Sequence, residues 1–92
     1  MRVRFTRRAA AQLDAILSYI DARSPQGAKR VKMRLHAVLN MLAEQPGIGA
    51  LTTKHGIRRV VAIPYPYLIF YRATETEIII HGIRHMARRN RD

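Results

Sequence analysis

Apolar residues recur at helical spacing twice in the first half of the chain, and only a few residues separate the two stripes. Leu13, Ile16, Leu17 and Ile20 fall at positions i, i+3, i+4 and i+7, which predicts a helix over roughly residues 7–22. The second stripe consists of Ala28, Val31, Leu35, Val38, Leu39 and Leu42. Two helices with so short a connection must pack as an antiparallel hairpin.

Capping and helix-breaking residues mark the ends of both helices. Thr6 is placed to cap the first helix, and Ser24 followed by Pro25 is a start signal for the second. Pro46 and Gly47 cannot continue a helix, so the second helix should end near residue 44.

The hydrophobic pattern changes from helical to extended after residue 56. Three β-branched runs over residues 57–63, 67–73 and 77–84 are separated by short turns, which favours an antiparallel meander. The alternating segment 2–5 adds a short strand at the N-terminus. The expected fold class is α+β in the order β-α-α-β-β-β. The helical hairpin should pack on one face of a small antiparallel sheet of three or four strands.

A chain of 92 residues has room for a single domain. We expect that domain to span residues 1–92, with a basic and mobile tail from about residue 86. No apolar run approaches the roughly 20 residues of a membrane-spanning helix, and no signal-peptide pattern follows the basic N-terminus. These observations predict a cytoplasmic protein.

The two later strands carry apolar side chains on both faces of the predicted sheet. Leu68 and Phe70 alternate with Ile69 and Tyr71, and residues 78–80 are all isoleucine. A sheet that is covered by helices on one side needs only one apolar face. Either a partner chain or loops cover the second face, or these strands are simply central in the sheet, and both interpretations stay open.

The charge of the chain is strongly unbalanced, with 17 Lys and Arg against 6 Asp and Glu and a formal net charge of +11. All of the basic residues except Lys29, Lys32 and Lys54 are arginines, whose planar guanidinium suits carboxylates and phosphates. This charge predicts a polyanionic partner, which could be a nucleic acid, an acidic protein or an anionic membrane. The chain has no cysteine, which excludes disulfides and thiolate metal sites.

The sequence offers no motif for a metal site or for an activated nucleophile. His81 and His85 on one strand would lie about 13 Å apart at ~3.3 Å per residue, which is too far to share a zinc ion. No serine or threonine has the setting of a nucleophile, and no glycine-rich loop has the setting of a phosphate loop. We therefore expect neither a metal nor a cofactor.

The cations of the C-terminal half leave three interpretations open. They could cleave RNA without a metal, because the 2′-hydroxyl attack needs a basic group to take its proton and a cation to stabilise the transition state. They could equally bind phosphates or an acidic peptide, or serve only as a solubilising surface. The group consists of Arg58, Arg59, Arg72, Arg84, His85, Arg88, Arg89 and Arg91.

Five short segments, which together span nearly the whole chain, follow one another in a familiar order. They are Phe5-Thr6 with Ala9-x-x-x-Leu13-Asp14-x-Ile16-x-x-Tyr19-Ile20, then Leu42-x-x-x-Pro46-x-x-Gly49, Gly56-Ile57-Arg58, Tyr67-x-Ile69-x-Tyr71-Arg72, and Ile83-Arg84-His85-x-x-Arg88-Arg89. In this order the chain resembles the ParE/RelE-like superfamily of toxins from bacterial type II toxin–antitoxin modules. The fold that the resemblance implies agrees with the order of elements predicted above.

The resemblance implies a partner, an acidic antitoxin encoded by the adjacent gene. Its C-terminal segment would wrap the toxin in a hetero-oligomer, either by adding a strand to the sheet or by laying a helix in the groove between hairpin and sheet. Such a partner is consistent with the charge of +11 and with the apolar residues on both faces of the sheet.

Two kinds of target separate within the superfamily. RelE-like members cut mRNA on the ribosome, whereas ParE-like members poison DNA gyrase and are not known as nucleases. RelE-like enzymes carry a cation where this chain has Leu68, and basic residues on the preceding strand, where this chain has Arg59 followed by four apolar residues. Many end in a functional tyrosine, which is absent here. These departures favour the ParE-like branch, and a non-toxic nucleic-acid-binding module is a third possibility.

The site candidates follow from these alternatives. For a nuclease, the catalytic candidates are Arg59, Arg84, His85 and Arg88. For target binding, the candidates are Arg58, Arg72, Arg84, His85, Arg88 and Arg89. A structural role is open for two residues as well, because Arg58 could brace the sheet against a carboxylate such as Asp14, and Tyr71 could be plain core.

Overall fold

A computed structural model describes residues 1–87 of the chain as two helices packed against one sheet. The helices are α1, Arg7–Asp21, and α2, Pro25–Glu44. The strands are β1, Arg2–Phe5; β2, Ala50–Leu51; β3, Arg58–Val61; β4, Tyr67–Ala73; and β5, Glu77–His85. The predicted fold class and the predicted order of elements are confirmed, with β2 as an addition.

Both predicted helix caps are present. The Thr6 hydroxyl accepts a hydrogen bond from the Ala9 amide at 3.1 Å, and the Ser24 hydroxyl accepts one from the Gly27 amide at 2.9 Å. Each cap satisfies a backbone donor that the first turn of a helix leaves free. α2 ends at Glu44, because Pro46 follows and cannot continue it. It is the longer helix, but no helix in residues 1–87 has the length and apolar character needed to cross a membrane.

The sheet has five strands in the order β1-β5-β4-β3-β2, not the three or four that were expected. β1 pairs with β5 in parallel, while the other neighbours are antiparallel. The parallel pair joins the two ends of the chain, so no turn signal could reveal it. β2 pairs only Ala50 and Leu51 with β3, which is too short a segment to show a period. β4 is the central strand and β5 lies beside it. This agrees with the interpretation that the strands with apolar residues on both faces are central in the sheet.

One face of the sheet packs on the helical hairpin and forms the core. The largest fully buried side chains are those of Tyr71, Leu42, Ile69, Ile78, Ile80, Ile83 and Val38. Alternation along the strands places the intervening residues on the other face, which no element of residues 1–87 covers as a second layer. We call this second face the open face. It carries apolar residues as well as arginines, among them Leu68, Phe70 and Ile79.

A β-bulge in β5 changes which residues face the hairpin. Phe70 pairs with Gly82 and Tyr71 with Ile80, so His81 is the extra residue. Because of this insertion Ile80 and Ile83 both lie in the core, although three positions separate them. The side-chain oxygen of Gln12 accepts a hydrogen bond from the Ile83 amide at 2.9 Å, which fixes α1 against the strand just past the bulge.

A backbone hydrogen bond holds the chain at the start of the predicted tail. The Met86 amide donates to the Pro66 carbonyl at 2.8 Å, so the chain is still held at residue 86. Most of the predicted mobile tail falls on residues 88–92, which lie outside the described residues.

Candidate functional site

Three arginines on neighbouring strands lie on the open face around one aromatic ring. Arg59 of β3 is opposite Phe70 of β4, and Arg72 of β4 is opposite Ile79 of β5. The Arg84 guanidinium lies over the Phe70 ring, 4.9 Å from its centroid. A guanidinium at this distance from a ring gains from the quadrupole of the ring, which orients Arg84 along the sheet surface.

The open face forms the floor of a cavity of about 520 Å³. The start of α1 makes one wall and the loop between β2 and β3 makes the other. This volume lies in the range of roughly 300–1,000 Å³ that is typical of ligand sites. The lining residues are Thr6, Arg8, Gln12, Thr52, Thr53, Lys54, Ile57, Phe70, His81, Gly82, Ile83 and Arg84.

His81 is one of the polar residues that line this cavity. Its Nε2 atom is buried and has no hydrogen-bond partner within residues 1–87. Burial lowers the pKa of His81 from its ordinary value of 6.5, and the nearby charges of Arg72 and Arg4 lower it further. The imidazole is therefore neutral at pH 7. It offers one donor or one acceptor to a bound group.

The cations of the open face differ in what holds them. Arg4 makes the one ion pair among the described residues, with Glu77 at 3.4 Å. Arg72 donates to the His55 carbonyl at 3.4 Å. The side chain of Arg59 has no hydrogen bond or ion pair within residues 1–87. The Arg84 guanidinium contacts the Phe70 ring alone among these residues. Of these four arginines, Arg59 and Arg84 are therefore the two whose guanidinium groups remain available to a partner.

Arg58 does not belong to this surface. Its guanidinium donates to the Gly49 carbonyl at 2.8 Å and to the Gly47 carbonyl at 3.3 Å. The expected brace against a carboxylate such as Asp14 is wrong for the described residues, because the partners of Arg58 are backbone carbonyls. The arginine instead holds the loop that leads from α2 into β2. That role is structural, and Arg58 therefore loses support as a target-binding residue.

His85 is separated from Arg84 by the sheet itself. His85 pairs with Tyr67 across β4 and β5, and the two rings meet edge to face with centroids 5.4 Å apart. Its position shares the parity of Ile83, so it lies on the hairpin side, whereas Arg84 lies on the open face. The Nδ1 atom of His85 also accepts a hydrogen bond from the Ala87 amide at 3.0 Å.

The bulge places His81, and not His85, on the same face as Arg84. Arg84 and His85 are neighbours in the strand and therefore face opposite ways, while His81 shares a cavity with Arg84. An isolated glycine within a strand is a signal for a bulge, and Gly82 is such a residue. Arg88 and Arg89, the remaining candidates, lie outside the described residues.

The histidines and carboxylates do not gather. No group of three or more such side chains that could hold a metal ion occurs in the part of the chain that the structure describes. His36 on α2 and His55 in the loop before β3 are both exposed.

A model of the family described as the ParE toxin of the type II toxin–antitoxin system parDE matches residues 3–90. The chain belongs to this ParE toxin family. As a ParE-family toxin it is one half of a toxin–antitoxin pair, and an antitoxin partner is implied. The predicted superfamily is thereby confirmed.

Curated relatives of this ParE-family chain are toxins of similar length. It is 41% identical over 87 residues to "Toxin RelE2" of Caulobacter vibrioides, which covers 95% of this chain and 97% of the relative. It is 37% identical over 79 residues to "Putative toxin Y4kP" of Sinorhizobium fredii, which covers 85% and 82%.

A solved structure of the family has the same fold. A chain of the chromosomal ParDE toxin–antitoxin system of P. aeruginosa superposes with a TM-score of 0.78 at 26% sequence identity. The match covers 92% of this chain and 95% of that chain.

Proposed function

We propose that this ParE-family toxin arrests growth by acting on DNA gyrase through the open face of its sheet, and that an acidic antitoxin in the cytoplasm neutralises it. The observation that carries the proposal is the open face itself. It combines two arginines without ion pairs, Arg59 and Arg84, with partly buried apolar side chains such as Phe70 and Leu68. A surface of this composition suits a protein partner, since arginine and aromatic residues dominate binding energy at protein interfaces.

The arrangement of side chains favours gyrase over mRNA as the target. Metal-free RNA cleavage needs a proton acceptor and a cation around one phosphate. Arg84 and His85, the pair expected to supply them, lie on opposite sides of the sheet. Leu68 pairs with Arg84 at the position where RelE-like enzymes would carry a further cation.

The acidic antitoxin is proposed from charge and from the exposed apolar residues at the β2 edge. A chain of +11 with one internal ion pair in residues 1–87 leaves most of its cations to be neutralised from outside. Leu51 of β2 is 68% exposed and Ile48 is 45% exposed, and β2 is an edge strand. An added strand could pair with β2 and cover both side chains, while its acidic residues meet the arginines.

One experiment tests the proposed target directly. Purified toxin should inhibit supercoiling of relaxed plasmid by gyrase and should leave covalent gyrase–DNA adducts. Arg59→Ala/Arg84→Ala should weaken both effects, whereas Arg23→Ala, at a cation stacked on Tyr19 away from the sheet, should not. Growth arrest without either effect would contradict the proposal, and so would harmless overexpression, which instead favours a non-toxic nucleic-acid-binding module.

The alternative of a ribosome-dependent mRNA endonuclease keeps one specific observation in its favour. His81, whose pKa is lowered, lines the same cavity as Arg84, so this cavity contains both a base and a cation. The name of the relative "Toxin RelE2" points the same way. This alternative predicts cut transcripts in primer extension of induced cells, lost in His81→Gln and retained in His85→Gln. Intact transcripts would remove it.

A further inference from the structure

We propose that the outward face of α2 is a second binding surface, which takes the phosphate backbone of duplex DNA. This goes beyond the proposed function and does not rest on it, since the face lies on the far side of the helical hairpin from the open face. α2 packs its buried side chains toward the sheet, so its outer residues point away from both the core and the cavity.

The outward face carries cations and no acid. Lys29, Arg30 and Lys32 are all exposed, and they fall within four residues of one helix. No acidic residue occurs between Asp21 and Glu44. The chain concentrates two of its three lysines here, and lysine contacts phosphate as a mobile point charge.

These cations are not neutralised within the described chain. The side chains of Lys29, Arg30 and Lys32 have no hydrogen bond or ion pair with another residue in residues 1–87. Arg34 differs, because its Nε donates to the Ile63 carbonyl at 2.6 Å. Positive charges that lie three positions apart on a helix, such as Lys29 and Lys32, repel one another. This repulsion destabilises the free protein, and a bound anion would relieve it.

The spacing of the cations suits a nucleic-acid backbone. The rise of a helix places Lys29 and Lys32 about 4.5 Å apart along the axis, with Arg30 between them. Duplex DNA presents one negative charge for about every 1.7 Å of its axis, so several phosphates lie within the length of this face.

The same face is a poor fit for an acidic polypeptide or for a membrane surface. A protein interface needs buried apolar anchors, and Met33, at 73% exposed, is the one large apolar side chain that this face offers within α2. A membrane-surface helix needs an apolar face turned toward the lipid, and the apolar face of α2 is buried in the core. Phosphate binding needs only the cations.

The test is fluorescence anisotropy of the full chain with a labelled duplex of about 20 base pairs across a range of salt. Each phosphate contact contributes about −0.9 to the slope of log K against log salt. Lys29→Ala/Lys32→Ala should reduce the magnitude of that slope by the contribution of about two phosphate contacts. Lys29→Arg/Lys32→Arg should retain the slope of the parent. The alanine variant should keep the circular dichroism of the parent and melt at the same temperature or higher, because it removes repulsion.

Arg2→Ala/Arg7→Ala removes the same charge from exposed sites outside α2 and should leave the slope nearly unchanged. An equal loss in both variants would overturn the proposal, since binding would then follow net charge alone. Poly-glutamate of matched charge is the second probe. If it binds as tightly as DNA with the same dependence on Lys29 and Lys32, the occupant is an acidic polypeptide and the proposal is wrong.

Discussion

The Tyr71 hydroxyl accepts a hydrogen bond from the Gly49 amide at 2.9 Å, although 22 residues separate the two in sequence. The same hydroxyl donates to the Pro46 carbonyl at 2.8 Å. Tyr71 is fully buried, so this polar contact is made inside the core. Together with Arg58 it fixes the loop that follows α2, and this loop leads into the wall of the cavity.

Tyr71→Phe should lower the free energy of unfolding by about 1–3 kcal/mol. The change removes one oxygen and leaves the buried Gly49 amide and the partly buried Pro46 carbonyl without their partner, which costs more than the bond itself contributes. Urea denaturation measures the loss. Tyr65→Phe is the matched control, because Tyr65 packs against the same core and its hydroxyl has no hydrogen bond in residues 1–87. Equal effects of the two changes would show that the hydrogen bonds of the Tyr71 hydroxyl contribute nothing to stability.

Gly49→Ala should destabilise the chain by about 1–3 kcal/mol or more, as overpacking does. A Cβ atom at this position would lie 2.6 Å from the Tyr71 hydroxyl oxygen and 2.8 Å from the Arg59 carbonyl. Gly47→Ala is the control, because a Cβ there meets nothing within 4 Å. That change should be neutral or slightly stabilising through the unfolded chain. Thermal melts of the two variants at one pH compare them, and a parent-like melt for Gly49→Ala would contradict the close approach.

Leu39→Ala should cost about 2–5 kcal/mol, the range of buried leucine truncations. Leu39 is 9% exposed in the core, and a small domain has little stability to spare. Leu17→Ala should cost less than Leu39→Ala, because Leu17 is only half-buried at the edge of the same cluster. Met33→Ala on the exposed side of α2 should change the midpoint in denaturant very little. If Met33→Ala were the more harmful change, the assignment of helix faces would be wrong.

The stability of the chain should decline below about pH 6.5 in a manner that depends on His81. Its pKa in the folded state is lowered by burial and by the charges of Arg72 and Arg4. The unfolded chain therefore binds a proton at a higher pH than the folded chain does. The stabilisation is complete above the ordinary pKa of 6.5 and is lost as the pH falls toward the lowered value.

His81→Gln should flatten the dependence of the melting temperature on pH in that window, and His36→Gln on the exposed face of α2 serves as the comparison. The measurement is a series of thermal melts from pH 7.5 downward in one buffer of constant ionic strength. A profile for His81→Gln that coincides with that of the parent would mean that this imidazole is not protected from protonation.

The sequence predicted the helical hairpin almost to the residue, because its signals are local. The apolar stripes, the hydroxyl caps at Thr6 and Ser24, and Pro46 after α2 act within one or two helical turns. The parallel pairing of β1 with β5 could not be predicted in that way, since it depends on the whole chain closing on itself. The loop before β2 is held by hydrogen bonds of Tyr71 and Arg58 with Gly49. These bonds join residues far apart in sequence, so local patterns do not predict β2.

The candidate site was predicted in its charge but not in its arrangement. Arg59 and Arg72 lie on one face because alternation is unbroken along β3 and β4, and Arg84 joins them because the bulge shifts the parity of β5 beyond it. The same extra residue moves His85 to the hairpin side, so His81 and not His85 shares the cavity with Arg84. A single inserted residue reverses the parity of all that follow it, which strand periodicity alone does not reveal.

The most direct test of the central claim is gyrase supercoiling of relaxed plasmid, measured with the parent chain and with Arg59→Ala/Arg84→Ala at equal concentrations. We expect the parent to inhibit supercoiling and to trap gyrase–DNA adducts. The double variant should fold normally, because neither side chain is buried, and should inhibit several-fold less. Undiminished inhibition by the folded double variant would contradict the role of the open face, and unhindered supercoiling with the parent would contradict gyrase as the target.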